Sequence, residues 1–294
     1  MTLPALAALR ARWPGTHIEL IGYPRIANLA LRGGLVDRVV SLDKADIARL
    51  FAPEVPLPEP SACYFRSFDV VISYLYDPDD AVRNSLERAG AKMVLCANPL
   101  VRTENAALHF MRVLSALAIY PDERAYPRLV VSDPLKTVAR TRLPADVGCG
   151  AVAIHPGSGS RDKNWPLRGF LECAGRLVER GWKPVFVLGE ADEEIRATLA
   201  DGGAKVTALP PGDLVTLAGM LACCRGFLGN DSGVAHIAAA VGTPTVVLFG
   251  PSNPHLWASQ APHVRVVRAA AGTTEGLATL GTAQVMESLA TALA

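Results

Sequence analysis

Short β-rich runs separated by helical stretches recur along the whole chain, and no other feature constrains the fold as strongly. The runs fall at residues 17–21, 36–42, 68–74 and 92–95, and then at 151–155, 184–188, 205–208, 226–228, 245–249 and 264–267. Strands that alternate with helices predict an α/β architecture with parallel sheets. Between the two sets, a connecting region over residues 121–150 holds Pro121, Pro127, Pro134, Pro144, Gly148 and Gly150. We place a domain boundary near its end, giving an N-terminal domain over residues 1–145 and a C-terminal domain over 146–294. A chain of 294 residues can bury enough apolar surface to fold two such domains without disulfide or metal staples.

Charge narrows the partners. Lys and Arg total 29 against 28 for Asp and Glu, a formal net charge of +1, so no basic surface bias points to nucleic acid or to a strongly acidic partner. Any bound anion must be held locally. Apolar runs such as residues 70–72 and 245–249 fall far short of the roughly 20 residues that cross a bilayer. Residues 1–14 read as an amphipathic helix carrying Leu3, Leu6 and Leu9 with Arg10 and Arg12, without the pattern of a signal peptide. The expectation is a soluble, cytoplasmic protein. Six cysteines, at 63, 96, 149, 173, 223 and 224, form no CxxC pair and no zinc-like spacing, and are expected to be reduced and mostly buried. Residues 283–294 read as one terminal helix, of the kind that can pack back across a domain junction.

The chemistry concentrates in the C-terminal half. Residues 229–244, GNDSGVAHIAAAVGTP, lie between two predicted strands and read as strand, turn, helix, turn, strand. Asp231 or Ser232 can cap the helix, Gly233 leaves its first turn bare, and Gly242 with Pro244 marks its end. A bare helix N-terminus presents unpaired N–H groups and the positive end of the helix dipole, which suits a phosphate or diphosphate. Ser232 and His236 are four residues apart and share a helix face. Each has a plainer reading: Asp231 as an ordinary cap, His236 as a satisfied polar residue at a packed face, and residues 238–240 as small side chains allowing tight helix–sheet packing.

Residues 151–166, AVAIHPGSGSRDKNWP, form a buried strand opening into a Gly/Ser loop with two cations, followed by a helix starting near Pro166. Such a loop offers N–H groups, hydroxyls and Lys163 to an anion, while Trp165-Pro166 pins its far end. The spacing is neither that of a Walker loop nor GxGxxG. At the next strand end, Gly189-Glu190-Ala191-Asp192-Glu193-Glu194 places acids where a ribose diol can be held, or where charge simply favours a helix's first turn. In the first half, Asp77-Pro78-Asp79 has the form of a metal-binding DxD, but it follows a strand and precedes a helix, so helix capping is expected and no metal site is assigned.

Taken together, HPGSGSRDKNWP, LGE followed by acids, and GNDSGVAHIAAAVGTPTVVLFGPSNP resemble the donor half of glycosyltransferase family 9, the lipopolysaccharide heptosyltransferases. The likeness covers about residues 147–257 through specific motifs and extends more weakly over the first half. It implies the GT-B fold, in which two Rossmann-like domains with parallel sheets face each other across a cleft. It also implies an inverting, metal-independent transferase without a cofactor, whose donor is a nucleotide-diphosphate sugar, ADP-heptose in the usual case. The acceptor it implies is a lipid-linked saccharide of the lipopolysaccharide core, reached with at most peripheral contact at the inner membrane. By the same resemblance Lys163 contacts the donor diphosphate with Ser158 in the phosphate loop, and Asp231, Ser232 and Gly233 sit at the sugar and phosphates. His236 supports that site, and Glu193 is the acid best spaced for the ribose.

One expectation concerns the start. In the family, the segment resembling residues 3–9 follows a strand and a Gly-Asp turn whose Asp is the general base, and this sequence opens at Met1, just after that position. No residue inherits that role by motif; Asp37, Asp69 and Asp77 are merely acids near predicted strands. Two readings stay open: a transferase whose first segment is missing from this sequence, and a non-catalytic nucleotide-sugar-binding protein. A GT-B-like sugar-nucleotide epimerase shares the fold, whereas a Rossmann dehydrogenase is disfavoured because its glycine fingerprint is lacking.

Overall fold

The computed structural model describes residues 1–294 apart from 44, 53, 123–124, 145–149, 190–191, 202–206, 210–211 and 270–275. The expected boundary at 145/146, Cys149, Glu190 and the start of the expected strand at 205–208 therefore lie outside the described residues. The chain forms two compact units, Met1–Ala125 and Tyr126–Ala294. No helix among the described residues is long and apolar enough to cross a membrane. Of the described cysteines, Cys173 and Cys224 are buried, Cys96 and Cys223 are half-buried and Cys63 is exposed, all as free thiols, so burial is less general than the sequence suggested.

In the first unit, β1 (Glu19–Gly22) pairs in parallel with β2 (Arg38–Ser41), and β3 (Val71–Ser73) with β4 (Val94–Cys96). All four expected runs carry strands of three or four residues, with β1 and β4 each ending one residue later than expected, and they form two separate two-stranded sheets among the described residues. Helices Pro24–Arg32 and Ala81–Arg88 supply the crossovers that parallel pairing requires. Phe65, Val82, Leu86 and Val94 are buried in the core beneath them.

The second unit carries a six-stranded, all-parallel sheet in the order β10-β9-β8-β5-β6-β7. Its strands are β5 (Ala151–His155), β6 (Lys183–Val187), β7 (Thr207–Leu209), β8 (Gly226–Asn230), β9 (Thr245–Phe249) and β10 (Val264–Arg268). Every residue of β5, β8 and β9 is buried. That is the signature of central parallel strands covered on both faces, and it explains why their sequences are near-continuous apolar runs rather than alternating ones. Helix Leu167–Glu179 turns Phe170, Cys173, Ala174 and Leu177 inward at helical spacing. Helix Leu214–Ala222 is capped by Asp213, whose carboxylate accepts from the amides of Val215 and Thr216, both at 2.9 Å. The terminal helix, Thr282–Leu293, buries Val285, Met286, Leu289 and Leu293 in this same core.

Counted within the unit, the strand order is the 3-2-1-4-5-6 of dinucleotide-binding folds. The chain runs outward from β5 through β6 and β7, then returns to the other side of β5 to lay down β8, β9 and β10. The direction of winding therefore reverses between β5 and β8, and the carboxyl ends of those two strands flank the crevice where open α/β sheets bind ligands.

Candidate active site

Both marked segments emerge at that reversal. Beyond β5 the loop passes Gly157, Ser158 and Gly159 into a short 3₁₀ turn, Arg161–Lys163, before helix Leu167–Glu179 begins with Pro166 as its cap residue. Beyond β8, Asp231 leads to Ser232, the cap of helix Gly233–Ala240. Lys163 Nζ donates to Asp231 Oδ2 at 2.9 Å, joining the two strand ends by an ion pair. The Asp231 side chain is only 7% exposed, while that of Lys163 is 35% exposed. The carboxylate is thus fixed, and the ammonium lies at the surface of the site.

Two further details settle Asp231. Helix Gly233–Ala240 is capped by Ser232, whose Oγ accepts from the Ala235 amide at 3.3 Å, so the aspartate is released from capping. Its backbone N–H donates to Leu248 O at 3.0 Å, which pins the residue to the end of β9. A third strand end contributes Ser252, which donates from Oγ to Asp231 Oδ2 at 2.6 Å. Ser232 leaves the amides of Gly233 and Val234 as first-turn donors, and a side chain added at Gly233 would meet only open space. The chain turns away just past the helix at Gly242, in the left-handed conformation with φ 88°.

His236 Nε2 lies 3.9 Å from Asp231 Oδ1, beyond hydrogen-bonding distance. Burial pushes its imidazole down to about 4, and the nearby Lys163 ammonium acts in the same direction while Asp231 opposes it. His236 is therefore neutral at neutral pH and adds no charge to the site.

The loop after β5 is held from below by buried polar groups. Asn230, fully buried, accepts the Trp165 amide on Oδ1 at 3.0 Å and donates from Nδ2 to Pro156 O at 2.7 Å. Trp165 is buried, donates from Nε1 to Leu280 O at 3.1 Å and packs edge-on against Phe170, so the far end of the loop is pinned as its sequence suggested. Asp192 is buried behind the near end. Its Oδ2 accepts the Gly189 amide at 2.7 Å and lies 3.9 Å from His155 Nδ1, which itself donates to Val187 O at 2.8 Å. Burial lowers the pKa of His155 below its ordinary value.

Residues 82–282 match the sequence model of glycosyltransferase family 9 (heptosyltransferase). The chain belongs to that family. Lipopolysaccharide heptosyltransferase 1 of Escherichia coli K12 is 34% identical over 150 residues, which are 51% of this chain and 46% of that protein. The family 9 chain spans about half the length of the curated relatives it matches. Among solved structures, the glycosyl transferase family 9 protein from Veillonella parvula aligns with a TM-score of 0.81 at 20% identity, covering 99% of this chain and 92% of its own. E. coli heptosyltransferase WaaC with ADP aligns with a TM-score of 0.72 at 22% identity, covering 99% of this chain and 95% of its own. The fold is accordingly α/β of the GT-B class.

Of the residues marked from sequence in this family 9 chain, Lys163, Asp231, Ser232, Gly233 and His236 come together at the switch point. Ser158 stays within its loop, donating to Ser160 O at 2.7 Å and accepting the Ser160 amide at 3.2 Å. Glu193 stands apart from the cluster: it opens helix Glu193–Asp201, its side chain is exposed, and it pairs with Arg196 at 3.4 Å. Its neighbour Glu194 pairs with Arg161, and the acid that turns inward is Asp192. Sequence reasoning missed Asn230, Asp192 and Ser252 as site supports. Ser252 lies inside the quoted GPSNP run, but nothing in its spacing singled it out.

The acids of the first unit have structural partners. Asp77 accepts the amides of Val82 on Oδ1 and Arg83 on Oδ2, both at 3.1 Å, which makes it the cap of helix Ala81–Arg88 as expected. Asp37 takes the Ile18 amide and the Arg10 guanidinium, which together hold its carboxyl below the usual range, and Asp69 pairs with Lys92 at the surface. Among the described residues no group of three or more His, Cys, Asp or Glu side chains is gathered as metal ligands would be.

Proposed function

We propose that this chain binds a nucleotide-diphosphate sugar, ADP-heptose in the first instance, and transfers the heptose or a related sugar to a lipid-linked saccharide of the lipopolysaccharide core at the cytoplasmic face of the inner membrane. The observation that carries the reading is the Lys163–Asp231 pair bridging β5 and β8 at the winding reversal, beside the capped first turn of helix Gly233–Ala240. In this reading the second unit is the donor side and the first unit the acceptor side. Expulsion of a nucleoside diphosphate requires that its developing charge be stabilised, which a cation and a helix N-terminus supply together. Lys163 faces the diphosphate, with the Gly233 and Val234 amides and Ser158 around it. Asp231 accepts from sugar hydroxyls, neutral His236 walls the site, and Glu193, exposed at the start of helix Glu193–Asp201 and paired there with Arg196, turns from that surface pair to take the ribose diol.

The transfer is read as inverting and as independent of a metal cofactor. Proton removal from the acceptor hydroxyl calls for a carboxylate, and we assign that role to none of Asp37, Asp69 or Asp77, each of which has a structural partner. Product analysis with ADP-heptose, a heptose-free core acceptor and a chelator tests the reading. Heptosylated acceptor formed in the presence of chelator supports it. Donor binding without transfer would reassign the chain to nucleotide-sugar binding alone, and an altered sugar released without acceptor would indicate epimerase chemistry.

A further inference from the structure

Resting on that reading of the donor site, we propose that Ser252 is a positioning residue that makes the site selective for the sugar of the donor over the bare nucleotide. The two oxygens of Asp231 are used unequally. Oδ2 receives both Lys163 Nζ, at 2.9 Å, and Ser252 Oγ, at 2.6 Å. Oδ1 accepts no hydrogen bond among the described residues; His236 Nε2 lies 3.9 Å from it, beyond hydrogen-bonding distance.

A lysine alone cannot impose this division. Its ammonium sits on a flexible four-carbon stem and can follow either oxygen, and the terminal torsion of an aspartate is broad. Ser252 differs in both respects. Its side chain is short, and its backbone lies in a bend between two constrained points. On one side a Cβ at Gly250 would lie 2.8 Å from Leu277 Cγ. On the other, Asn253 caps the short helix Pro254–Trp257 by accepting the His255 amide at 3.0 Å. The 2.6 Å contact falls in the range of a charge-assisted O–H···O⁻ bond. It locks Oδ2 toward β9 and leaves the lone pairs of Oδ1 for an incoming donor.

A diphosphate offers oxygens that accept hydrogen bonds, so it gains nothing from Oδ1. Sugar hydroxyls donate, and they do gain. Loss of the Ser252 hydroxyl should therefore weaken binding of ADP-heptose and spare that of ADP, whereas a merely structural role for Ser252 would weaken both together.

The test is calorimetric titration of the full chain with ADP and with ADP-heptose, for the wild type, Ser252→Ala and Ser252→Thr. Loss of one hydrogen bond to a charged group predicts an affinity for ADP-heptose about tenfold weaker in Ser252→Ala, with ADP changed by less than about twofold. Ser252→Thr keeps the hydroxyl and should restore the ratio of the two affinities. An unchanged ratio in Ser252→Ala, or parallel loss of both ligands that threonine does not rescue, overturns the role of Ser252 while the donor site stands. If the wild type binds neither ligand, the donor reading itself fails, and the role of Ser252 fails with it.

Discussion

Gly157→Ala offers the sharpest mechanical test of how the loop after β5 is supported. A Cβ built on Gly157 would lie 1.9 Å from Asp192 Oδ1, 2.6 Å from its Cγ and 2.8 Å from Oδ2. The obstacle is a short, buried carboxylate tied to the Gly189 amide at 2.7 Å, not the loose end of a long side chain. Two responses are open to the variant. Expelling Asp192 breaks a hydrogen bond to a charged group, at a cost of about 1.5–3 kcal/mol. Moving the loop instead is an overpacking response, at about 1–3 kcal/mol. The cheaper route decides, so the expected loss is about 2 kcal/mol. The clash involves one partner, so it should vanish when that partner does. Asp192→Ala destabilises on its own, but in its background Gly157→Ala should cost less than about 0.5 kcal/mol, a coupling of about 1.5 kcal/mol. Urea unfolding followed by tryptophan fluorescence reads this directly, since Trp165 lies buried in the core of the second unit. With a urea slope of about 2 kcal/mol per molar, the single variant's midpoint should fall by about 1 M. An equal cost of Gly157→Ala in both backgrounds, or no cost in the wild type, would refute the account of the loop.

Other substitutions probe different parts of the site. Asn230→Ala leaves the Trp165 amide and Pro156 O buried without their partner and should cost about 2–4 kcal/mol in the same unfolding assay. His236, with its pKa lowered from 6.5 to about 4, binds its proton more readily when unfolded. Its contribution is therefore complete above the unfolded value and is lost as pH falls from about 6.5 toward 4, so wild-type stability should drop more steeply across that window than that of His236→Asn.

Much of the second unit is legible in the sequence because its central strands are buried on both faces and so read as unbroken apolar runs. The observed β5 and β9 coincide with the runs at 151–155 and 245–249. Helix Gly233–Ala240 carries its start and stop in Ser232 and Gly242. The first unit is less legible: its strands are short and mostly half-buried, so the runs overstate their length and say nothing of their division into two pairs. Within the site, sequence spacing brings Lys163 and Asp231 to adjacent strand ends, but the choice between Asp231 and Ser232 as cap depends on which side chain folds back, and tertiary contacts from Lys163 and Ser252 make that choice. Residues 192–194 pose the same difficulty. Three consecutive acids look alike, and only the helix starting at Glu193 determines that Asp192 faces inward while Glu193 and Glu194 reach solvent.

In the proposed function, the Lys163–Asp231 pair at the β5–β8 reversal is the heart of a nucleotide-sugar site. Isothermal titration of ADP-heptose into the wild type, Lys163→Ala and Asp231→Ala tests it most directly. Each variant removes a charged partner the ligand is expected to meet, which predicts weakening by about tenfold or more in both. Affinity equal to the wild type in the two variants would place the donor elsewhere and contradict the account.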